Sequence, residues 1–271
     1  MRFLITFAID AEFSPWKSRH PFVLYEYDNG GRKRDFDMYR ANIGPHEVTV
    51  LLTGMGARST SKAMQIVPPE MHDAWISTGL AGALDGELPL SATVVARTAM
   101  TRDQTLHVLS DADFVSVATA CGATAVTTFL TSETIIATSL EKESLASTAS
   151  VVEMESTHVL AAAQNRQIPA VAVRAISDIA EEDLPLDFSK IADERGHVKV
   201  VGLLKELALH PYRLGLLIRF GQHSRAAAVS LANFLDRYIP ALGEDARRNA
   251  LAETLAHAMA KPRPGKPGWL Q

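Results

Sequence analysis

The fold class is decided by VVEMESTHVLAAAQNRQIPAVAVRAISDIAE, residues 151–181. Its Ala-rich part predicts a helix that Ile168-Pro169 ends, and the Val-rich run at 170–176 predicts a short buried strand. Glu155 precedes the helix and Asp178 follows the strand. Ligands of open α/β sheets bind outside the carboxyl ends of the strands, so an acidic side chain at this place is a candidate site residue.

Outward from this stretch, predicted strands alternate with predicted helices as far as residue 180. The strands are predicted at 3–9, 22–27, 38–43, 48–52, 74–77, 94–98 and 123–129, and the helices at 58–66 and 114–122. Glycine-containing turns follow two of the strands, at 53–56 and 78–83. This order predicts an α/β fold, a three-layer α/β/α sandwich with a mixed central sheet.

Length and composition restrict the possible classes of protein. The chain has 271 residues, 47% of them hydrophobic, and a formal net charge of −4, which gives no reason to expect a nucleic-acid partner. The single cysteine, Cys121, cannot form an internal disulfide, and no stretch has the length of a membrane span, so we expect a cytoplasmic protein. The histidines are scattered, without the spacing of metal ligands, and we expect neither a metal nor a cofactor.

The character of the chain changes after residue 195. We predict an α/β domain at 1–195, a helical C-terminal extension at 196–260 and a disordered tail at 261–271. The extension is expected to break at His210-Pro211, to continue to about Tyr238 and to add two further turns at 245–260. Residues 197–225 are basic and Leu-rich, which suits surface helices or a dimer contact, or else a helix that docks an amphiphilic substrate or a membrane surface.

Five short stretches carry a resemblance to a known family. They are FAIDAEF at 7–13, TGMG at 53–56, STGLAGAL at 77–84, VVEMES at 151–156 and VRAISDIA at 173–180. With them the chain resembles the nucleoside phosphorylase and nucleosidase superfamily, closest to the 5′-methylthioadenosine/S-adenosylhomocysteine nucleosidases. The resemblance implies hydrolysis of the N-glycosidic bond of a 5′-substituted purine nucleoside, release of adenine, and a homodimer.

The resemblance also assigns roles to individual residues. Asp178 would be the acid that protonates purine N7, and Glu12 would be the base that activates water. Glu155 would bind the ribose hydroxyls, Met154 would pack on the sugar, and Ser177 would steady Asp178. From position alone, Glu12 and Asp178 could equally be helix caps and Met154 a core residue.

Around the base and the anion site the chain departs from the family pattern. In the loop TSETII at 131–136, Ile135 replaces an aromatic residue, and Ile136 would supply backbone contacts to the base. Phe188 would lie near the 5′ substituent, although a core position is the alternative. After Gly79, Leu80 stands where phosphorylases have a phosphate-binding hydroxyl.

These departures leave several activities open. The first loop, AIDAEF, lacks the arginine that holds phosphate in phosphorylases, so hydrolysis is favoured over phosphorolysis. Some superfamily enzymes of hopanoid synthesis remove adenine from a lipid-linked adenosine, and the basic C-terminal helices would suit such a substrate. A non-catalytic nucleoside-binding protein is the hypothesis from a different class.

Overall fold

The computed structural model describes residues 1–25, 36–68, 71–185 and 213–260. The described strands are β1 (Arg2–Phe7), β2 (Val23–Leu24), β3 (Met38–Ile43), β4 (His46–Leu52), β5 (Ala74–Ser77), β6 (Leu80–Ala83), β7 (Thr93–Thr101), β8 (His107–Leu109), β9 (Thr124–Thr131), β10 (Val151–Glu153) and β11 (Ala170–Asp178). The described helices are α1 (Asp10–Lys17), α2 (Ala57–Ile66), α3 (Ala112–Ala120), α4 (Ser139–Leu145), α5 (Ser156–Gln164) and α6 (Arg213–Ala260).

The strands form one mixed sheet in the order β2-β3-β4-β1-β5-β11-β6-β10-β9-β7-β8, and β11 also pairs with β7. Strand β1 lies parallel to β4 and β5, and β11 lies parallel to β5 and β6. The antiparallel pairing of β11 with β7 closes β11, β6, β10, β9 and β7 into a ring. Because β1, β5 and β11 run in the same direction, their carboxyl ends meet at one edge, where a site is expected.

Helices cover both faces of this sheet, which confirms the predicted three-layer architecture. Alternate residues of a strand point to opposite faces. In β11, Val171 and Val173 pack in a core with α1, α3 and α6, while Ala172 and Ile176 pack in a second core with α2 and α5. Strand β11 is buried along its whole length, as its near-continuous apolar sequence predicts.

The C-terminal helix is present, but it differs from the prediction. We expected separate helical pieces on either side of Pro240, whereas α6 is a single helix that contains this proline. It also belongs to the first core, into which it buries Leu231, Phe234, Leu235 and Tyr238. Burial of an apolar face therefore holds α6 together where local propensity predicts a break. The predicted break at His210-Pro211, the domain boundary at 195 and the tail at 261–271 lie outside the described residues.

Two further differences concern the residues between the predicted elements. Residues 80–83, expected to be part of a turn, form strand β6, because β11 and β10 pair with them on both sides. Helices α1 and α4 and strands β8 and β10 were not predicted. Among the described helices, none is long and apolar enough to cross a membrane.

Candidate active site

A cavity of about 1190 Å³ opens at the edge where β1 and β11 end. Of the predicted site residues, eight line it: Glu12, Leu80, Ile135, Ile136, Met154, Glu155, Ser177 and Asp178. Gly79 lies behind Glu12, and a Cβ atom added to it would be 3.1 Å from both carboxylate oxygens. Phe188 lies outside the described residues.

Glu12 is held on the first turn of α1 by backbone N–H groups. Its Oε2 accepts hydrogen bonds from the N–H groups of Ala8 at 3.0 Å and Ile9 at 3.4 Å, and its Oε1 accepts one from Leu80 at 2.9 Å. Burial raises the pKa of Glu12, while these N–H groups and the charge of Arg174 oppose the shift. A buried carboxylate with a raised pKa is suited to accept a proton near neutral pH.

Leu80 thus takes part in the site through its backbone, since its N–H group orients Glu12. The sequence had drawn attention only to its side chain, as a departure from the family pattern.

Glu155 begins α5, and the turn before α2 fixes its carboxylate. The N–H group of Gly56 donates to Glu155 Oε1 at 2.8 Å, and Gly56 adopts a φ of 82°, which favours glycine. Burial, followed by the charge of Glu153, raises the pKa of Glu155 to about 8, although Arg174 and Gly56 oppose the shift. The Cε atom of Met154 lies 3.6 Å from the position of a Cβ atom on Gly56, so Met154 and Glu155 share one wall.

Glu153, which the sequence did not single out, anchors this wall together with Arg174. The Arg174 guanidinium is fully buried and donates to Glu153 Oε2 at 2.5 Å, and it lies 3.7 Å from Glu155 Oε2. Glu153 Oε2 also accepts from the N–H groups of Glu155 at 3.0 Å and Ser156 at 2.7 Å. Arg174 is thus a buried ion-pair partner of this wall. The sequence did offer a signal for Glu153: it is a carboxylate that follows two valines and comes three residues before a helical run.

Asp178 ends β11 and is 8% exposed. Ser177 Oγ donates to Asp178 Oδ1 at 2.8 Å. Lys142 Nζ donates to Asp178 Oδ2 at 2.6 Å, and this lysine was also missed by the sequence. Gly82 provides the space for the carboxylate, because a Cβ atom there would be 2.8 Å from Asp178 Oδ2.

Helix α6 forms one wall of the cavity. Leu217, Phe220 and Val229 supply apolar surface to it, and Arg225 is an exposed cation of the same wall. The other arginine of the lining, Arg19, donates to Asn233 at 2.7 Å and Asp236 at 2.9 Å. The C-terminal helix therefore shapes the cavity.

The sequence profile described as the phosphorylase superfamily matches residues 2–207. The chain belongs to the phosphorylase superfamily. This confirms the superfamily to which the five stretches pointed. Within the parts of the chain that the structure describes, no group of three or more His, Cys, Asp or Glu residues is placed to hold a metal ion.

Solved structures of similar fold align with most of this chain and with nearly the whole of their own chains. The 5′-methylthioadenosine/S-adenosylhomocysteine nucleosidase of Campylobacter jejuni is 17% identical, with a TM-score of 0.67 over 88% of this chain and 98% of its own. Futalosine hydrolase of Helicobacter pylori is 16% identical, with a TM-score of 0.67 over 89% of this chain and 97% of its own. The Neisseria meningitidis nucleosidase, in complex with methylthio-immucillin-A, is 17% identical, with a TM-score of 0.66 over 88% and 98%.

At these identities the likeness shows the fold alone. The Campylobacter jejuni structure covers 88% of this chain, which is more than residues 1–195 alone. The shared fold therefore includes part of the C-terminal region. No curated protein sequence gives a significant match.

Proposed function

We propose that the protein hydrolyses the N-glycosidic bond of a 5′-substituted purine nucleoside and releases adenine. The observation that carries the proposal is that one cavity collects Glu12, Glu155 and Asp178 from three separate elements. The superfamily membership and the fold shared with two kinds of nucleosidase support it.

Each carboxylate has a role that its surroundings suit. Asp178, with Ser177 and Lys142 beside it, passes a proton to N7 of the leaving purine. Glu12, held by three N–H groups, takes a proton from the attacking water. Glu155 binds the ribose hydroxyls next to Met154. An acid and a base on separate walls fit a direct displacement by water, as in inverting glycosidases.

The base and the 5′ substituent then occupy opposite ends of the cavity. Ile135 and Ile136 offer an apolar surface to the purine, with Ile136 buried and Ile135 partly exposed. The 5′ substituent points toward α6 and its apolar residues. A role for Phe188 near this substituent and a homodimer stay predictions.

Hydrolysis is favoured over phosphorolysis by the charge of the site. Glu12, Glu153 and Glu155 are close enough for the charges of Glu12 and Glu153 to raise the pKa of Glu155. Carboxyl groups, whether protonated or not, offer an attacking phosphate no cationic donor, and the Arg19 guanidinium of the lining is already paired with Asp236.

A lipid-linked adenosine, such as adenosylhopane, is a second candidate substrate, and the wall formed by α6 favours it. The cavity exceeds the ~300–1,000 Å³ typical of small-molecule sites. Leu217, Phe220 and Val229 present apolar surface where such a tail would lie. Contact of residues 197–225 with a membrane surface is part of this second candidate.

The test is adenine release from a panel of nucleosides, each assayed with and without phosphate. The panel contains 5′-methylthioadenosine, S-adenosylhomocysteine and an adenosine with a long 5′-alkyl chain. We expect release without phosphate, and a preference for the long chain if the second candidate is right. Release only with phosphate would indicate a phosphorylase. Binding of the nucleosides without any release would indicate a non-catalytic binding protein.

A further inference from the structure

Lys142 is a fully buried cation next to the candidate acid, and none of the roles proposed above uses it. Its Nζ donates to Asp178 Oδ2 at 2.6 Å, to the carbonyl of Ile179 at 2.7 Å and to the carbonyl of Glu182 at 3.0 Å. An ammonium group has three N–H donors, so all of them are used and the group is fixed in orientation. Burying a charge in this way is costly, which makes a purely incidental lysine an unsatisfactory explanation.

The other carboxylates near Lys142 have partners of their own, and Asp178 is the carboxylate that pairs with this cation. The Asp183 carboxylate accepts from the Ser139 N–H group at 2.7 Å, and the Glu182 carboxylate is paired with Arg219 at 2.7 Å. His223 on α6 lines a small adjoining pocket with these residues. Within the described residues, the ion pair of Lys142 is the one with Asp178.

The two members of the pair differ in their access to the cavity. Asp178 lines it, whereas Lys142 does not. Any proton that Lys142 exchanges with a bound ligand therefore passes through Asp178. Lysine, unlike arginine, releases a proton readily when it is buried.

We propose that Lys142 supplies the proton that Asp178 delivers to the departing base, an inference that rests on the proposed function. Asp178, ionised in its pair with Lys142, takes a proton from Lys142 Nζ on Oδ2 and passes it to purine N7, which leaves the lysine neutral and Asp178 a carboxylate again. The bond from C1′ to the purine nitrogen breaks, and its electron pair stays with the base. Water adds to C1′ and gives its proton to Glu12. Solvent then returns a proton to the lysine, and Glu12 releases the one it took.

Proton supply by Lys142 has a consequence for the pH dependence of kcat. Because the proton comes from the lysine, the wild type does not depend on solvent to protonate Asp178 during the step. Without Lys142, Asp178 has to take its proton from solvent, and the rate should then fall as the pH rises.

Two substitutions separate proton supply from simple support of the fold. Lys142→Arg keeps a cation beside Asp178 but cannot release a proton, so kcat should fall ~100-fold or more with KM changed less than about threefold. Lys142→Met should lose far more activity at alkaline than at acid pH. Lys62→Arg, at an exposed lysine of α2, is the control and should leave kcat unchanged.

Wild-type kcat in Lys142→Arg, or a loss in Lys142→Met that is the same at every pH, would overturn the proposal. Should either variant fold poorly, the Asp178→Asn background provides the second measurement. There, Lys142→Met should cost no further kcat, since the acid is already absent, and an added full loss would contradict the inference. Phosphate-independent adenine release by the wild type tests the proposed function separately, whatever the lysine variants do.

Discussion

At the scale of single residues, two glycines of STGLAGAL give two carboxylates their space. A Cβ atom on Gly79 would lie 3.1 Å from the oxygens of Glu12, and one on Gly82 would lie 2.8 Å from Asp178 Oδ2. Gly79 also has a φ of +146°, a conformation that other residues rarely adopt. The motif therefore has a steric reason at each glycine.

Gly82→Ala is predicted to reduce activity without unfolding the protein. The added methyl group has to displace Asp178 Oδ2, which Lys142 holds at 2.6 Å. Misplacing the acid by about 1 Å can cost on the order of 100-fold in kcat. Kinetics and thermal melting measure the two effects. Gly86→Ala is the control, because its close neighbour is the exposed and movable Glu181 side chain. Equal kinetics for the two variants would contradict the prediction.

Glu155 provides a prediction about pH and stability. Its pKa is about 8 in the folded protein against an ordinary 4.5. Between these values the folded state holds the extra proton, so this contribution to stability is present at acid pH and is lost as the pH rises to about 8. Glu155→Gln cannot ionise, and its free energy of unfolding should fall less from about pH 5 to about pH 8 than that of the wild type. Denaturant titrations at several pH values would show this, and parallel profiles would refute it.

Single residues also show what the sequence could and could not reveal. Glu12, Glu155 and Asp178 were found because they lie in recognisable stretches, and all three reach the cavity. Lys142 was missed because it lies in the charged run SLEKESL, which reads as an exposed helix face. Only the contacts of α4 with the loop after β11 show that this lysine is buried.

At the scale of secondary-structure elements, pairing with neighbouring strands determines that β6 forms where local propensity predicts a turn. Strands β3 and β5 have the predicted bounds. The glycine in β6 disfavours a strand, yet β11 and β10 pair with it on both sides. For α4 a signal was available, because Thr138 and Glu141 form a capping box.

Helix α6 yields a prediction at this scale. It passes over the turn between β3 and β4, where a Cβ atom on Gly243 would lie 2.0 Å from His46 Cε1. Gly243→Ala should therefore lower the free energy of unfolding by ~1–3 kcal/mol. Gly215→Ala, in open space on the same helix, should instead be neutral or stabilise by up to about 1 kcal/mol. Chemical denaturation compares them, and a neutral Gly243→Ala would mean that α6 does not need this close approach.

At the scale of the whole molecule, the site depends on contacts between distant parts of the chain. Glu12 comes from the first turn of α1, Asp178 comes from the end of β11, and one wall of the cavity comes from α6. The layer architecture was predictable from the alternation of strands and helices. The closure of five strands into a ring was not, because it depends on the antiparallel pairing of β7 with β11 across some 70 residues of chain.

Helix α6 forms one wall of the cavity, as the interpretation of residues 197–225 as a substrate-docking helix had allowed. Its apolar residues Leu217, Phe220 and Val229 form part of the lining. Under the proposed function, the elements from β1 to β11 supply the carboxylates of the reaction and helix α6 supplies apolar contacts to the 5′ substituent. The nucleoside panel tests this division directly.

The central claim is that Asp178 gives the departing base its proton. It is tested by the kcat for adenine release of Asp178→Asn in phosphate-free buffer, measured against the wild type on the best substrate of the panel. Asparagine keeps an oxygen that can accept from the Lys142 ammonium, so the variant should remain folded. We predict a loss of at least ~100-fold with an unchanged far-ultraviolet spectrum. Turnover close to that of the wild type would contradict the account.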